Sequence, residues 1–419
     1  MIRSNPFRHA VLGLCVVFAL ACQSEESSRD VQDTGSTAQG APDTNGELDT
    51  GRVDMGMADP DTGTSFTDVS TTDVSTSDVV EADATEQDTG PAFNPNPATS
   101  RFDPPDLGGW DGALGALPDP AELSEGFDGL DVTYLPDISC GPYAENLVDL
   151  IVPNGIESPP LLFFIHGGGF TGGSRLNTLG AGGRGVGTTV RYLEAGFAYA
   201  TVDYRFLHDG GVQTPLQDVQ VCLQFMRLHA EELGFDPERI VLAGGSAGAG
   251  TSLWIASHDD LAEPTHEHPV LRVSTEVTGI IITGTQATYD ILAWNDVFEP
   301  EYPGILDGAL TVPQIAQALL RFYDVDDAAV LEEEPYLSYR AAVHMLPKLD
   351  ASDPPIWLQT NGDDTHPLLG GDPLHHPYHA RSVVEAAEAA GVEVSANIQA
   401  LERTTDEDRV EFALRVIGE

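Results

Sequence analysis

Two short stretches hold residue types whose spacing can do chemistry. Gly244-Gly245-Ser246-Ala247-Gly248 is a G-x-S-x-G pentapeptide between the apolar run "RIVLA" and the helix-like segment "TSLWIASH". The pattern is that of a nucleophile elbow, in which a serine sits on a strained strand-to-helix turn. Side chains at the flanking positions would obstruct that turn, so small residues are needed there. The turn exposes Oγ and aims the first helical N–H groups, that of Ala247 among them, at whatever Oγ attacks. The second stretch, His166-Gly167-Gly168-Gly169, follows the apolar run "LLFFI". Its glycines allow close backbone approach and can turn N–H groups toward a developing oxyanion, where each such donor contributes about 3 kcal/mol. His166 reads as a residue that shapes this turn rather than as a base.

These stretches must be positioned by a sheet. From about Phe102 onward, short apolar runs alternate with helical patterns, which predicts an α/β fold with helices on both faces of a mostly parallel sheet. Strands are expected at "NLVDLIVP", "PLLFFI", "FAYATVDYR", "RIVLAGG", "VTGIIITG", "PPIWLQTNG" and "VEVSANIQAL". Helices are expected at "TTVRYLEAG", at "LQDVQVCLQFMRLHAEELG" with its stop at Gly234, and at "ARSVVEAAEAAG" and "RVEFALRVI". Residues 291–347 break the rhythm with pieces such as "VPQIAQALLRFY". An insertion there lies over the carboxyl ends of the strands, where open α/β sheets bind ligands, and is read as a small helical cap.

"FFIHGGGFTGGS", "VDYRF", "PLQDVQVCLQFMR" and "FDPERIVLAGGSAGAG" together resemble the α/β-hydrolase carboxylesterases of the hormone-sensitive-lipase and bacterial feruloyl-esterase-like group, from about Leu147 to Ala256. The resemblance implies a serine esterase that forms an acyl-enzyme without a cofactor. It implies Ser246 as nucleophile, Gly168, Gly169 and Ala247 as oxyanion donors, and Asp203 and Arg205 as structural residues. It also implies an acid after the strand that follows the cap. Asp363 and Asp364 stand there in a loop one residue shorter than the usual G-x-x-D, and Asp364 is preferred. The base should follow the last strand, yet "ERTTDEDR" contains no histidine and none occurs after His379.

Either the base has moved or the site has lost it. His258 stands about 12 residues beyond Ser246 on one expected helix, roughly 18 Å away, and is excluded. His229 points along the preceding helix, toward the surface. His266 and His268 have a spacing that could hold a metal, but no third ligand is evident, so no metal is assigned. What remains is His366, His375, His376 and His379 in "DDTHPLLGGDPLHHPYHARS". His375 or His376 is the expected relocated base, with His366 behind them, and Gly370 and Gly371 would let the loop fold tightly. A merely histidine-rich or a metal-binding loop stays open. Without a base the chain would be a degenerate hydrolase-fold binding protein.

Composition frames the rest. The chain carries 19 basic and 67 acidic residues, a formal charge of −48, and the part beyond residue 100 keeps about −35 of it. Nucleic acid is therefore excluded as a partner, and small-molecule or polysaccharide esters are the expected substrates. Residues 1–22 combine Arg3 and Arg8 with the apolar run "AVLGLCVVFALA" and end in Cys22, which predicts a lipoprotein-type leader with lipid attached at Cys22. Residues 23–101 are rich in Asp, Thr, Ser and Gly, with 17 acidic against two basic residues up to Ser100, and predict a disordered acidic tether. The expectation is a bacterial lipoprotein of the periplasm or outer membrane, with secretion as second choice. Cys222, among Val219, Leu223 and Met226 on an apolar helical face, is expected as a buried thiol.

Overall fold

The strand runs predicted from Leu147 onward all enter one eight-stranded sheet. Its members are β1 (Val132–Ser139), β2 (Leu147–Pro153), β3 (Leu161–Ile165), β4 (Ala198–Val202), β5 (Ile240–Gly245), β6 (Gly279–Thr283), β7 (Ile356–Thr360) and β8 (Val394–Ile398). Their order is β1-β2-β4-β3-β5-β6-β7-β8. The first two are joined antiparallel and β2 runs antiparallel to β4, whereas every pairing from β4 to β8 is parallel. The fold is the α/β-hydrolase sheet. This is a computed structural model, and it describes residues 105–180 and 185–418. The leader, Cys22 and the whole tether lie outside the described residues.

Alternation along the strands decides which helices go where. Leu161, Phe163 and Ile165 of β3 face one core, while Leu162 faces the other. The first core is closed by α2 (Gln213–Leu228), α3 (Ala247–Ala256) and α8 (Pro377–Ala390). The second is closed by α1 (Val186–Glu194) and α9 (Arg409–Val416). Short parallel strands buried on both faces read as continuous apolar runs, which is why β3, β5 and β6 were legible without a polar alternation. β1 was not foreseen. Its sequence, "VTYLPDIS", contains Pro136 and a register shift between Leu135 and Ile138, as an edge strand can.

The apolar helical face around Cys222 conceals a covalent link rather than a thiol. Cys140, just past β1, forms a disulfide with Cys222 of α2, closing a separation of 82 residues with Cα atoms 4.8 Å apart. In the chain-entropy picture a loop of that length contributes about 4 kcal/mol through the unfolded state.

Between β6 and β7 the chain builds the cap from α4 (Trp294–Phe298), α5 (Ile305–Leu310), α6 (Pro313–Tyr323) and α7 (Tyr336–Val343). Helix α6 turns Ile315, Ala318, Leu319 and Phe322 toward a cavity above Ser246, the spacing of a single helical face. The cap is tied down by polar contacts. Arg340 on α7 reaches both oxygens of Asp290 at 3.0 and 3.2 Å, and the Tyr323 hydroxyl donates to Tyr289 O at 3.0 Å.

Candidate active site

Ser246 sits between the end of β5 and the start of α3 with φ 52° and ψ −119°, the strained turn anticipated for it. Gly244 and Gly248 of the pentapeptide are there because nothing larger fits. A Cβ on Gly248 would lie 2.0 Å from Ile165 O, and one on Gly244 would lie 2.3 Å from the carbonyl carbon of Gly248. The Ser246 N–H is spent on Thr283 O at the end of β6, at 2.9 Å, which pins the turn across two strands.

The glycine turn after β3 lies beside it. Gly168 and Gly169 have φ of 124° and 61°, and a Cβ on Gly168 would collide with Gly172 O at 1.9 Å. Among the described residues, no hydrogen bond takes the N–H of Gly168, Gly169 or Ala247. Gly169, Ser246 and Ala247 line one cavity. His166 packs its ring on Tyr204 at 4.2 Å, and its carbonyl accepts from the Tyr204 hydroxyl at 2.7 Å, so it shapes the turn. The far end of the turn is held by Arg175, whose Nε donates to the buried Asp149 at 2.8 Å and whose other nitrogens pair with Asp203 and Asp137. Asp203 thus anchors the turn, while Arg205 pairs with Asp218 at 2.7 Å and stacks over Tyr143.

His375 is the imidazole that reaches the serine: its Nε2 lies 2.8 Å from Ser246 Oγ. Its Nδ1 lies 2.6 Å from Asp372 Oδ2. The tautomer consistent with both contacts carries the proton on Nδ1, donating to Asp372 and leaving Nε2 to accept from Oγ–H. Asp372 also accepts from Leu374 N–H at 2.9 Å, so acid and base share one turn. Burial pushes the Asp372 carboxyl up, but the hydrogen bond and charge of His375, with the backbone donors, outweigh it and hold the carboxyl below its ordinary value.

Asp364 does not occupy the acid position, and this expectation is corrected to Asp372. Asp363 and Asp364 are exposed on the first turn of the loop, where Asp363 accepts from Thr365 N–H at 3.0 Å and the Asp364 carbonyl accepts from Tyr302. The loop is short after Gly362 because it does not stop there. It runs on to residue 376 and folds back, with the Thr360 hydroxyl donating to His375 O at 3.3 Å and Gly362 packed against that same carbonyl.

His376 is likewise corrected: it points away from the serine. Its buried ring caps α8, with Nδ1 accepting from Tyr378 N–H at 3.3 Å, and packs against Phe298 and Tyr302. His379 is a clamp that sequence reasoning did not assign. Fully buried, it donates from Nε2 to Pro373 O at 2.9 Å and accepts at Nδ1 from Ala287 N–H at 3.2 Å, tying α8 to the Asp372–His375 turn. His366 accepts from Leu368 N–H at 3.2 Å within its own loop. His229 and His268 donate to Gly112 O and Trp110 O, holding the segment ahead of β1. Among the described residues no group of three His, Cys, Asp or Glu is placed to hold a metal.

Two of these histidines set an acid limit on stability. Burial pushes His379 down to about 3 and His258 down to about 4, against the 6.5 of an unfolded histidine. Both are neutral in the fold, so their contribution is complete above pH 6.5 and is lost as pH falls toward 4 and 3. At pH 5 each costs on the order of 2 kcal/mol. Urea midpoints at pH 7.5 and pH 5 are expected to differ accordingly, and to differ less in a His258→Gln variant.

Residues 148–299 match the BD-FAE family model. Over these residues the chain is similar to that family, an α/β-hydrolase-type esterase domain. The match spans β2 to α4 and so contains the glycine turn and the elbow, but not Asp372 or His375. Gut esterase 1 of Caenorhabditis elegans is 34% identical over 25% of this chain and 19% of its own length. The probable carboxylic ester hydrolase LipM of Mycobacterium tuberculosis is 26% identical over 46% of this chain and 43% of its own. The chain thus spans less than half the length of these relatives. Among solved structures, a truncated carbohydrate esterase from gut microbiota is 14% identical with a TM-score of 0.48, covering 72% of this chain and all of that one. The esterase Est2 of Thermogutta terrifontis is 20% identical with a TM-score of 0.42, covering 68% and 84%.

Beyond the matched residues, one signal in the sequence could have found the acid. Asp372 stands three residues before His375, a spacing that lets one turn carry both side chains.

Proposed function

We propose that the protein hydrolyses carboxylic esters through an acyl-enzyme on Ser246. The observation that carries this reading is the chain of contacts from Ser246 Oγ to His375 Nε2 at 2.8 Å and from His375 Nδ1 to Asp372 at 2.6 Å. The similarity of residues 148–299 to the BD-FAE esterase family supports it. Ser246 Oγ attacks the ester carbonyl carbon as its proton passes to Nε2, and the carbonyl π electrons move to oxygen. The oxyanion is met by the N–H groups of Gly168, Gly169 and Ala247. Collapse expels the alcohol, which takes the proton from Nε2. Water then attacks the acyl-serine, with Nε2 again accepting and returning the proton, and the carboxylic acid leaves. Asp372 keeps the imidazole in the accepting tautomer and stabilises its cationic form.

The same reading places the enzyme in the cell envelope on a lipid at Cys22. A leader-like segment ending in that cysteine and a disulfide between Cys140 and Cys222 support an oxidising, exported setting. The degenerate binding-protein reading rested on a missing base, and the proximity of His375 to Ser246 removes its motive. The test is turnover of p-nitrophenyl acetate by the purified chain together with labelling by a fluorophosphonate. Multiple turnover and a single adduct on Ser246 are expected. A correctly folded protein that neither turns over nor labels would overturn the reading.

A further inference from the structure

The cavity of about 120 Å³ over Ser246 has walls that say what it admits. Leu207, Ile291, Trp294, Phe298, Leu319 and Phe322 are among the side chains that enclose it, from the loop after β4 and from the cap. Besides the nucleophile Ser246 itself, three lining side chains carry polar hydrogens, and all three are already spent. The Tyr289 hydroxyl donates to Ala247 O at 2.6 Å, the Gln286 amide to Leu374 O at 2.8 Å and the Trp294 indole to Thr288 O at 3.0 Å. A sugar or phenol entering here would lose its water and find no directed donor in return, whereas a hydrocarbon would lose only apolar hydration.

Geometry also says which half of an ester enters. The leaving alcohol must meet His375 Nε2 to be protonated, and His375 does not line the cavity; Gly169, Ser246 and Ala247 do. The His375 side chain is about one third exposed, so the alcohol side is open to solvent. Resting on the ester-hydrolase reading above, we propose that this cavity is the acyl site and takes an aliphatic acyl chain of butyrate length or longer, with little restriction on the alcohol.

The experiment is a kcat/KM series for the full chain on p-nitrophenyl acetate, butyrate and hexanoate, with methyl ferulate and an acetylated xylan beside them. Each buried methylene contributes roughly three- to fourfold, so butyrate is expected to exceed acetate by about tenfold and hexanoate to rise further. Ala318→Trp fills the cavity, and Leu310→Asn, at a half-buried position, sets an amide in its wall. Either is expected to lower the hexanoate-to-acetate ratio by about tenfold, a ratio that partial unfolding does not move. Acetate turnover with a flat or falling chain-length profile overturns the acyl assignment and leaves the esterase standing. So does a preference for the ferulate or the acetylated xylan. Absence of turnover on every ester overturns both.

Discussion

Ser246→Ala and His375→Ala are each expected to lower kcat for p-nitrophenyl butyrate by about 10⁴- to 10⁶-fold, and the double variant to be no slower than the slower single. Nucleophile and base act as one unit: without the base Oγ stays protonated, and without Oγ the imidazole has nothing to activate, so the losses do not add. Residual turnover would come from the N–H groups around Gly169 and Ala247, which remain in place. His376→Asn is the control that separates a base from a neighbour. Asparagine can still cap α8, so helix entry survives, and kcat is expected to stay near the wild-type value. A large loss in His376→Asn with a small loss in His375→Ala would reverse the assignment made from the 2.8 Å contact.

Most of the fold, and half of the site, could be read from residue types. Ser246, Gly168 and Gly169 are legible because their requirements are local. A strained turn with φ 52° and carbonyls within about 2 Å of an added Cβ tolerates only small neighbours, and that demand is written into adjacent positions. The buried strands β3, β5 and β6 are legible for a similar reason, since a sheet covered on both faces asks for uninterrupted apolar runs. The acid and base are not local in that sense. His375 faces Ser246 only because the loop returns over β7 with Gly362 packed against it, Gln286 holding Leu374 O and His379 holding Pro373 O. None of these long-range contacts leaves a periodicity. The histidine cluster was visible, but Asp364, adjoining the strand end, drew attention from Asp372. Cys222 failed differently: an apolar helical face looks the same around a thiol and a half-cystine, and only the position of Cys140 in the fold distinguishes them.

The Asp372 assignment yields the second large effect, and the substitution that tests it is chosen because asparagine makes this turn as well as aspartate does. Asp372→Asn is expected to lower kcat by about 10³- to 10⁴-fold, while Asp364→Asn and Asp363→Asn change it by no more than a small factor. In the variant, the side-chain oxygen can still accept from Leu374 N–H, so the Asp372–His375 turn persists. Its amide nitrogen then meets Nδ1, and an N–H there favours a lone pair on Nδ1 with the proton on Nε2. An imidazole in that tautomer cannot accept from Oγ–H, and the cation formed during attack has lost its carboxylate. If Asp372 served only to shape the loop, asparagine would preserve activity and leave kcat untouched. A near-wild-type Asp372→Asn beside a crippled Asp364→Asn would return the acid to the first turn of the loop. Circular dichroism and fluorophosphonate labelling of each variant complete the measurement, since a folded Asp372→Asn protein whose Ser246 labels slowly is the signature of a lost proton path rather than a lost fold.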